Sequence, residues 1–195
     1  GLPANFHPDE VPKYNAIQRM LANGDLNPRY FLHPSLLLYS TYFANHLYQL
    51  ILPSSDWSET LIFSGRIVSA TAGTLSILLT YLIGSSLFSR TTAIIGALLL
   101  ATSPLHITCS RYVKEDALLT FWILVSCYLT ILAIKNRRNL FLYLSGIAAG
   151  AAAATKYSGV LAGFIPLAAP WLYSNSLKPN PKMIGTTLIA CLLVP

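Results

Sequence analysis

The sequence predicts an all-α membrane protein, namely a polytopic bundle of transmembrane helices with interfacial amphipathic helices in its first extracytoplasmic loop. Apolar residues make up 54% of the chain and charged residues only 10%, whereas an ordinary soluble domain carries about 25% charged residues. The mean hydropathy is +0.54. Runs of roughly 20 apolar residues recur, which is the pattern of helices that cross a bilayer.

The opening stretch holds two adjacent carboxylates, Asp9 and Glu10, between two prolines. Proline fixes φ and has no backbone N–H, so we expect a stiff, irregular segment here rather than a helix. Residues 16–22 then predict one or two amphipathic helical turns. Residues 23–28 are rich in Asn, Gly, Asp and Pro, and they predict a turn.

Residues 34–52 are apolar and rich in tyrosine, but Thr41, Asn45 and Gln49 recur at four-residue spacing. Such a polar stripe predicts an amphipathic helix that lies in the membrane interface. A short spanning helix is the alternative, and it would reverse the orientation of only the residues that precede it.

Six membrane spans are predicted after this helix, and Arg66 lies within the first two turns of the first one. The fourth and fifth spans are short unless they are tilted. Gly146, Gly150 and Ala154 of the fourth span form a face of small residues suited to close helix packing. The spans are residues 61–88, 91–107, 117–134, 140–154 and 159–173, and a sixth that begins at Met183.

We divide the chain into an extracytoplasmic loop with amphipathic or juxtamembrane helices, residues 1–58, and a transmembrane bundle, residues 59–195. The sequence does not begin with Met, and its last apolar run reaches Pro195. We therefore expect a piece of a longer protein, with at least one helix before it and several after it.

Charge is distributed unevenly between the two sides of the predicted bundle. Three alternating loops hold six basic residues and no acid, and all seven acids fall on the other side. By the positive-inside rule the purely basic side is cytoplasmic, so the opening segment faces the extracytoplasmic side. The six basic residues are Arg90, Lys135, Arg137, Arg138, Lys178 and Lys182.

The same distribution argues against nucleic acid as a partner, because the +6 net charge resides largely in these loops. Cys109, Cys127 and Cys191 lack metal-ligand spacing and are interpreted as small buried hydrophobes. The sequence contains no Gly-rich phosphate loop and no nucleophile elbow. We therefore predict no cofactor, and a divalent metal is not favoured.

Ionisable residues gather on the predicted extracytoplasmic side, where each needs a partner or a task. Structural roles are open to most of them: helix capping, solvated ion pairing, or a lysine that extends to the headgroups. Arg66 is the hardest to explain structurally, because a guanidinium inside a span offers a rigid fork of donors to a carboxylate or phosphate. The candidates are Asp9, Glu10, His33, Arg66, Arg111, Lys114, Glu115, Asp116, Lys156 and Tyr157.

Together these residue types favour group transfer at a membrane surface. A carboxylate can accept a proton from a hydroxyl, and the cationic side chains can bind an anionic leaving group such as phosphate. An apolar groove beside them would hold a lipid tail. A non-catalytic scaffold, or part of a lipid or solute transporter, is the alternative, although transporters place polar residues near the bilayer midplane.

Several short motifs follow one another along the chain. They are Phe6-His7-Pro8-Asp9-Glu10, His33-Pro34, Arg66, Leu87-Phe88, residues 97–104, Ser110-Arg111-Tyr112 with Asp116, and Thr155-Lys156-Tyr157-Ser158-Gly159. In this order they resemble the N-terminal half of the type-C membrane glycosyltransferases. The nearest resemblance is to the dolichyl-phosphate-mannose protein mannosyltransferase family and the bacterial aminoarabinose transferases.

The resemblance implies an inverting glycosyltransferase that moves a sugar from a polyprenyl-phosphate carrier to an extracytoplasmic protein, lipid or glycan hydroxyl. It implies Asp9 as the catalytic base, assisted by Glu10, with Arg66 supporting the acidic pair. His33 matches a contact to the donor phosphate. We favour metal-free transfer, and we expect this segment alone to be inactive.

By the same resemblance, four further residues complete the implied substrate-binding set. Arg111 and Asp116 match the second-loop pattern of the family. Lys156 and Tyr157 match a contact on the phosphate side.

Overall fold

The computed structural model describes residues 7–53, 57–173 and Gly185. This part of the chain is helical and contains no strand, so the predicted all-α class is confirmed. The helices are α1 Glu10–Asn23, α2 Leu36–Ile51, α3 Trp57–Leu87, α4 Arg90–Ala101, α5 Pro104–Arg111, α6 Glu115–Asn136, α7 Asn139–Thr155, a 3-10 helix Tyr157–Gly163, and α8 Phe164–Tyr173.

Helix α1 begins six residues before the predicted start at residue 16, so the expectation of an irregular segment at Glu10 was wrong. Asp9 is the N-cap and Pro12 falls in the first turn. The first four N–H groups of a helix have no intrahelical partner, so proline removes no bond there. Gly24, at φ 63°, ends the helix in the left-handed conformation.

Helices α3 and α6 are long and apolar enough to cross a membrane, over Thr60–Leu87 and Glu115–Asn136. This finding agrees in length and composition with the first and third predicted spans. The two helices run parallel, because Lys135 near the end of α6 donates to the carbonyl of Ser86 near the end of α3. The 22 residues of α6 extend about 33 Å, close to the roughly 30 Å hydrocarbon core.

The second predicted span is not one straight helix, which corrects the expectation for residues 91–107. Helices α4 and α5 meet at 58°. Ser103, at ψ 119°, precedes Pro104, and a residue before proline is forced out of the helical region. The break therefore follows from local sterics, whereas hydropathy continues through it.

The fourth and fifth predicted spans are short helical segments, as the sequence indicated. Helix α7 has 17 residues, and the fifth span consists of a 3-10 helix followed by the 10 residues of α8. The sixth span from Met183, and the basic residues Lys178 and Lys182, lie outside the described part of the chain.

The polar stripe of α2 faces protein rather than water. Asn45 is buried and its Oδ1 accepts a hydrogen bond from Ser64 Oγ at 3.3 Å. Gln49 Nε2 donates to Thr60 Oγ1 at 3.0 Å. The opposite face of α2 is apolar and exposed, as Leu50 shows. The predicted helix is confirmed, while its place in the membrane interface stays a prediction.

Helix α7 packs closely against α6, and the predicted small-residue face of α7 is buried. Gly146 and Gly150 are buried. Beside them the Ser145 hydroxyl lies 2.9 Å from Ser126 Oγ and 2.7 Å from Thr130 Oγ1. Small side chains let the two backbones approach until these hydroxyls pair.

Two apolar clusters hold α1 and α2 against the bundle. Ile17 of α1, Leu38 of α2 and Leu61 of α3 share one cluster. Leu37 of α2 and Val113, just before α6, belong to the next. The N-terminal helices therefore pack on the end of the bundle where α6 begins, and this packing positions the charged residues described next.

Candidate active site

The first residue of α1, Glu10, is buried in an ion pair with Arg66 of α3. Arg66 Nε donates to Oε1 at 3.1 Å, and its second nitrogen donates to Oε2 at 2.9 Å. The backbone N–H of Val113 donates to Oε1 at 3.0 Å. Glu10 is 2% exposed. Both carboxylate oxygens are therefore occupied by donors from two different elements.

Burial and hydrogen bonding act in opposite directions on Glu10. Burial alone would raise its pKa, but the hydrogen bonds from Arg66 and Val113 outweigh burial and hold the pKa below its ordinary value. Glu10 is therefore ionised at neutral pH and poorly suited to accept a proton.

A second buried ion pair lies beside the first and was missed from the sequence. Lys13 is 1% exposed, and its Nζ lies 2.9 Å from Glu115 Oε2 and 3.0 Å from Val113 O. The available signal was the spacing of Lys13 three residues after Glu10, which puts both on one face once the helix begins at Glu10.

Above these pairs lies a row of half-exposed charges, which we call the charged face: Asp9, Lys114, Asp116 and Lys156. Lys114 Nζ is 3.8 Å from Asp9 Oδ2 and 3.7 Å from Asp116 Oδ2. Lys156 Nζ donates to Asp116 Oδ1 at 2.8 Å. The row thus joins the start of α1, the start of α6 and the end of α7, three elements distant in sequence.

Asp9 is the most accessible carboxylate of the charged face, at 53% side-chain exposure. Its backbone N–H donates to His7 Nδ1 at 3.2 Å, and His7 Nδ1 lies 3.5 Å from Asp9 Oδ2. The His7 ring stacks at a tilt against Tyr112, with centroids 5.3 Å apart. Asp9 is therefore held at its backbone while its carboxylate meets solvent.

Lys156 closes the other end of the charged face. The hydrogen bond to Asp116 raises the pKa of Lys156, against the opposing effect of partial burial. Tyr157, the next residue, donates from its hydroxyl to the carbonyl of Phe31 at 3.3 Å. The loop between α1 and α2 therefore contacts the residues that follow α7.

That loop brings Tyr30 close to Glu115 and Asp9, and it also carries His33. Burial, followed by the charges of Glu115 and Asp9, raises the pKa of Tyr30 to about 12. The Nδ1 atom of His33 is buried and has no hydrogen-bond partner among the described residues. Tyr30 was not expected from the sequence, because no motif distinguishes it from the other tyrosines.

Arg111 is a predicted site residue that the structure does not join to the charged face. It is the last residue of α5 and is exposed. Its side chain makes no ion pair or hydrogen bond within residues 7–53 and 57–173. Those residues also contain no group of three or more His, Cys, Asp or Glu arranged to hold a metal ion.

The arrangement combines two chemical capacities within one surface. A half-exposed carboxylate can accept a proton, and neighbouring ammonium groups can bind an anion through charge-assisted hydrogen bonds. The buried pairs beneath this surface fix the backbone that carries it.

Comparison with known proteins agrees with these features. Residues 55–195 match the model of the dolichyl-phosphate-mannose-protein mannosyltransferase family. The chain is 30% identical over 184 residues to an undecaprenyl phosphate-alpha-4-amino-4-deoxy-L-arabinose arabinosyl transferase of Erwinia tasmaniensis, covering 88% of this chain and 31% of that protein. No solved structure matches.

The chain thus spans about a third of the length of this curated relative. The family match begins after Asp9 and Glu10, and it includes Arg66, Asp116 and Lys156. Together with the apolar helices α3 and α6, the match identifies an integral membrane protein and confirms the predicted resemblance. This chain belongs to the dolichyl-phosphate-mannose-protein mannosyltransferase family.

Proposed function

We propose that the protein containing this chain is an inverting glycosyltransferase. It moves a sugar from a polyprenyl-phosphate carrier to an acceptor hydroxyl on the extracytoplasmic side. The observation that carries the proposal is the charged face, in which the accessible Asp9 lies within 3.8 Å of Lys114 above the buried Glu10–Arg66 pair.

In this mechanism Asp9 is the general base. The acceptor hydroxyl gives its proton to Asp9 as its oxygen bonds to the anomeric carbon, on the side opposite the phosphate. The bond between that carbon and the phosphate oxygen breaks, and the polyprenyl phosphate leaves as an anion. A single displacement of this kind inverts the anomeric configuration.

Glu10 serves this reaction indirectly. Its lowered pKa and its three donors make it a poor base. Its bond to Arg66 instead fixes the first turn of α1, and thereby the direction in which Asp9 points. Arg66 is therefore a positioning residue in the proposal rather than a group that touches substrate.

Other cationic and hydrogen-bonding groups of this region are suited to binding the donor phosphate. The Lys156 ammonium is partly exposed, and Tyr157 lies next to it. His33 offers a buried ring nitrogen without a partner in the described chain. We propose that these three residues contact the donor phosphate, and that Arg111 contributes its exposed charge.

The proposed orientation follows from the two ends of α6. Glu115 and Asp116 begin the helix, and Lys135 lies near its end, followed by Arg137 and Arg138. Cytoplasmic loops carry the excess of basic residues. The charged face therefore lies at the extracytoplasmic end of the helix in this proposal.

The 58° bend between α4 and α5 is the observation that favours the transporter alternative, because broken helices often line transport sites. His106 lies just after the bend, where its Nε2 is 3.1 Å from the carbonyl of Gly73. The carboxylates joined to the start of α6, however, are not at the bend: Asp9, Glu10, Glu115 and Asp116. The transferase proposal accounts for their position at one end of α6.

The test is donor consumption by membranes that contain the intact protein. Two radiolabelled donors are offered, undecaprenyl-phosphate-linked aminoarabinose and dolichyl-phosphate-linked mannose. The relative's name makes the first the stronger candidate, and the family description supports the second. Release of free polyprenyl phosphate with one of them supports the proposal. Transport of label across sealed vesicles without cleavage of the donor would refute it.

A further inference from the structure

Val113, between α5 and α6, has both of its backbone hydrogen-bonding groups held by side chains of α1. Its N–H donates to Glu10 Oε1 at 3.0 Å, and its carbonyl accepts from Lys13 Nζ at 3.0 Å. Glu10 and Lys13 are three residues apart, so they share one face of the helix. Helix α1 thus fixes the backbone of a residue about a hundred positions away.

A second restraint follows two residues later. Lys13 Nζ also lies 2.9 Å from Glu115 Oε2, and both side chains are almost fully buried. Removing two charges from water is so unfavourable that apolar residues of similar size often stabilise a fold as well or better. Stability alone therefore does not explain this ion pair, whereas a need to fix the backbone around Lys114 does.

Lys114 lies between these two restrained residues, but its side chain is partly exposed whereas theirs are buried. Its ammonium is 3.8 Å from Asp9 Oδ2 and 3.7 Å from Asp116 Oδ2, and its side chain is 29% exposed. Both distances exceed those of a charge-assisted hydrogen bond. The backbone of Lys114 is therefore fixed on both sides, while its ammonium is accessible and loosely held.

We propose that Lys114 binds the phosphate of the polyprenyl-phosphate donor, and that Lys13 and Glu115 are positioning residues that hold it beside Asp9. This inference rests on the proposed function. A phosphate offers the ammonium a short charge-assisted hydrogen bond in place of the two longer ion pairs. Base and phosphate ligand would then be placed by the same buried restraint.

Binding of sugar-free undecaprenyl phosphate to the full-length protein in nanodiscs tests the role of Lys114. We expect Lys114→Met to weaken binding roughly tenfold or more, because a hydrogen bond to a charged group is lost. Lys135→Met is the matched control, since it removes the same charge from the other end of α6 and should leave the affinity unchanged. Uncharged undecaprenol should bind weakly to all three proteins.

Lys13 is tested by a double-mutant cycle. Lys13→Met should weaken phosphate binding several-fold when Lys114 is present and leave it unchanged in Lys114→Met, because Lys13 acts through Lys114. A merely structural role would weaken binding equally in both backgrounds, and that result would overturn the positioning role. If Lys13→Met does not fold, Lys13→Met with Glu115→Leu removes both charges and keeps the cycle measurable.

The outcomes separate the two proposals. If the wild-type protein does not prefer undecaprenyl phosphate to undecaprenol, the proposed function fails and this inference falls with it. If the wild-type protein shows that preference and Lys114→Met binds as tightly, the inference alone is wrong.

Discussion

Replacing Arg66 tests whether the buried pair with Glu10 organises the site. The two nitrogens of Arg66 lie 3.1 and 2.9 Å from the two oxygens of Glu10, which is a bidentate contact that a lysine cannot reproduce. Arg66→Lys keeps the charge but loses one of the two bonds. We expect it to lower the free energy of unfolding by about 1.5–3 kcal/mol, the range for a hydrogen bond to a charged group.

A larger change removes the charge altogether. Arg66→Met leaves the Glu10 carboxylate buried without its cation, and breaking a buried pair in this way costs about 3–5 kcal/mol. The pKa of Glu10 determines how the stabilisation by this pair depends on pH. Because the pKa of folded Glu10 lies below its ordinary 4.5, the pair stabilises the wild type at neutral pH, and this stabilisation is lost as pH falls through the folded pKa.

The assay is unfolding of the full-length protein in detergent, followed at pH 7 and at steps below pH 4.5. The difference between wild type and Arg66→Met should be largest at neutral pH and should shrink at acid pH, where Glu10 is protonated in both. Arg90→Met is the control, because Arg90 is exposed and begins α4, just after the end of α3 that is remote from Arg66. An Arg66→Met variant as stable at pH 7 as Arg90→Met would refute this account of the pair.

Two other variants test separate parts of the fold and site. A Cβ at Gly73 would overlap the Ser110 hydroxyl of α5. Gly73→Ala should therefore lower the melting temperature and make Cys109 of α5 more reactive towards thiol reagents. Gly163 has open space around it, so Gly163→Ala should have neither effect. Asp116→Asn replaces the charge-assisted hydrogen bond that raises the pKa of Lys156 with at most a neutral one. Amine-reactive labelling of Lys156 should therefore begin at a lower pH than in the wild type, and an unchanged labelling profile would contradict that contact.

The long apolar helices could be predicted because hydropathy reports membrane burial directly. Helices α3 and α6 lie close to their predicted bounds for this reason. The bend before α5 could not be read from hydropathy, since the apolar run continues through it, although Pro104 was a local signal. The polar stripe of α2 shows a related limit. Periodicity identifies the polar face of a helix, but it does not show whether that face contacts protein or water.

The site was predicted in part for a similar reason. Arg66 could be singled out because a guanidinium in a span needs a partner, and the acids were few. Lys13 was missed because the start of α1 depended on whether Pro12 fell in a first turn, where proline is tolerated. The assembly of Lys114 with Asp9 and Asp116 is a tertiary contact between α1 and the start of α6, which no local pattern specifies.

The most direct test of the central claim is the transfer rate of Asp9→Asn in the full-length protein. The substitution keeps the size of the side chain and removes the proton acceptor, so we expect transfer to be abolished while membrane insertion and the melting temperature are retained. Asp25→Asn, in the exposed loop after α1, should transfer at the wild-type rate. Wild-type transfer by Asp9→Asn would contradict the claim that Asp9 is the base.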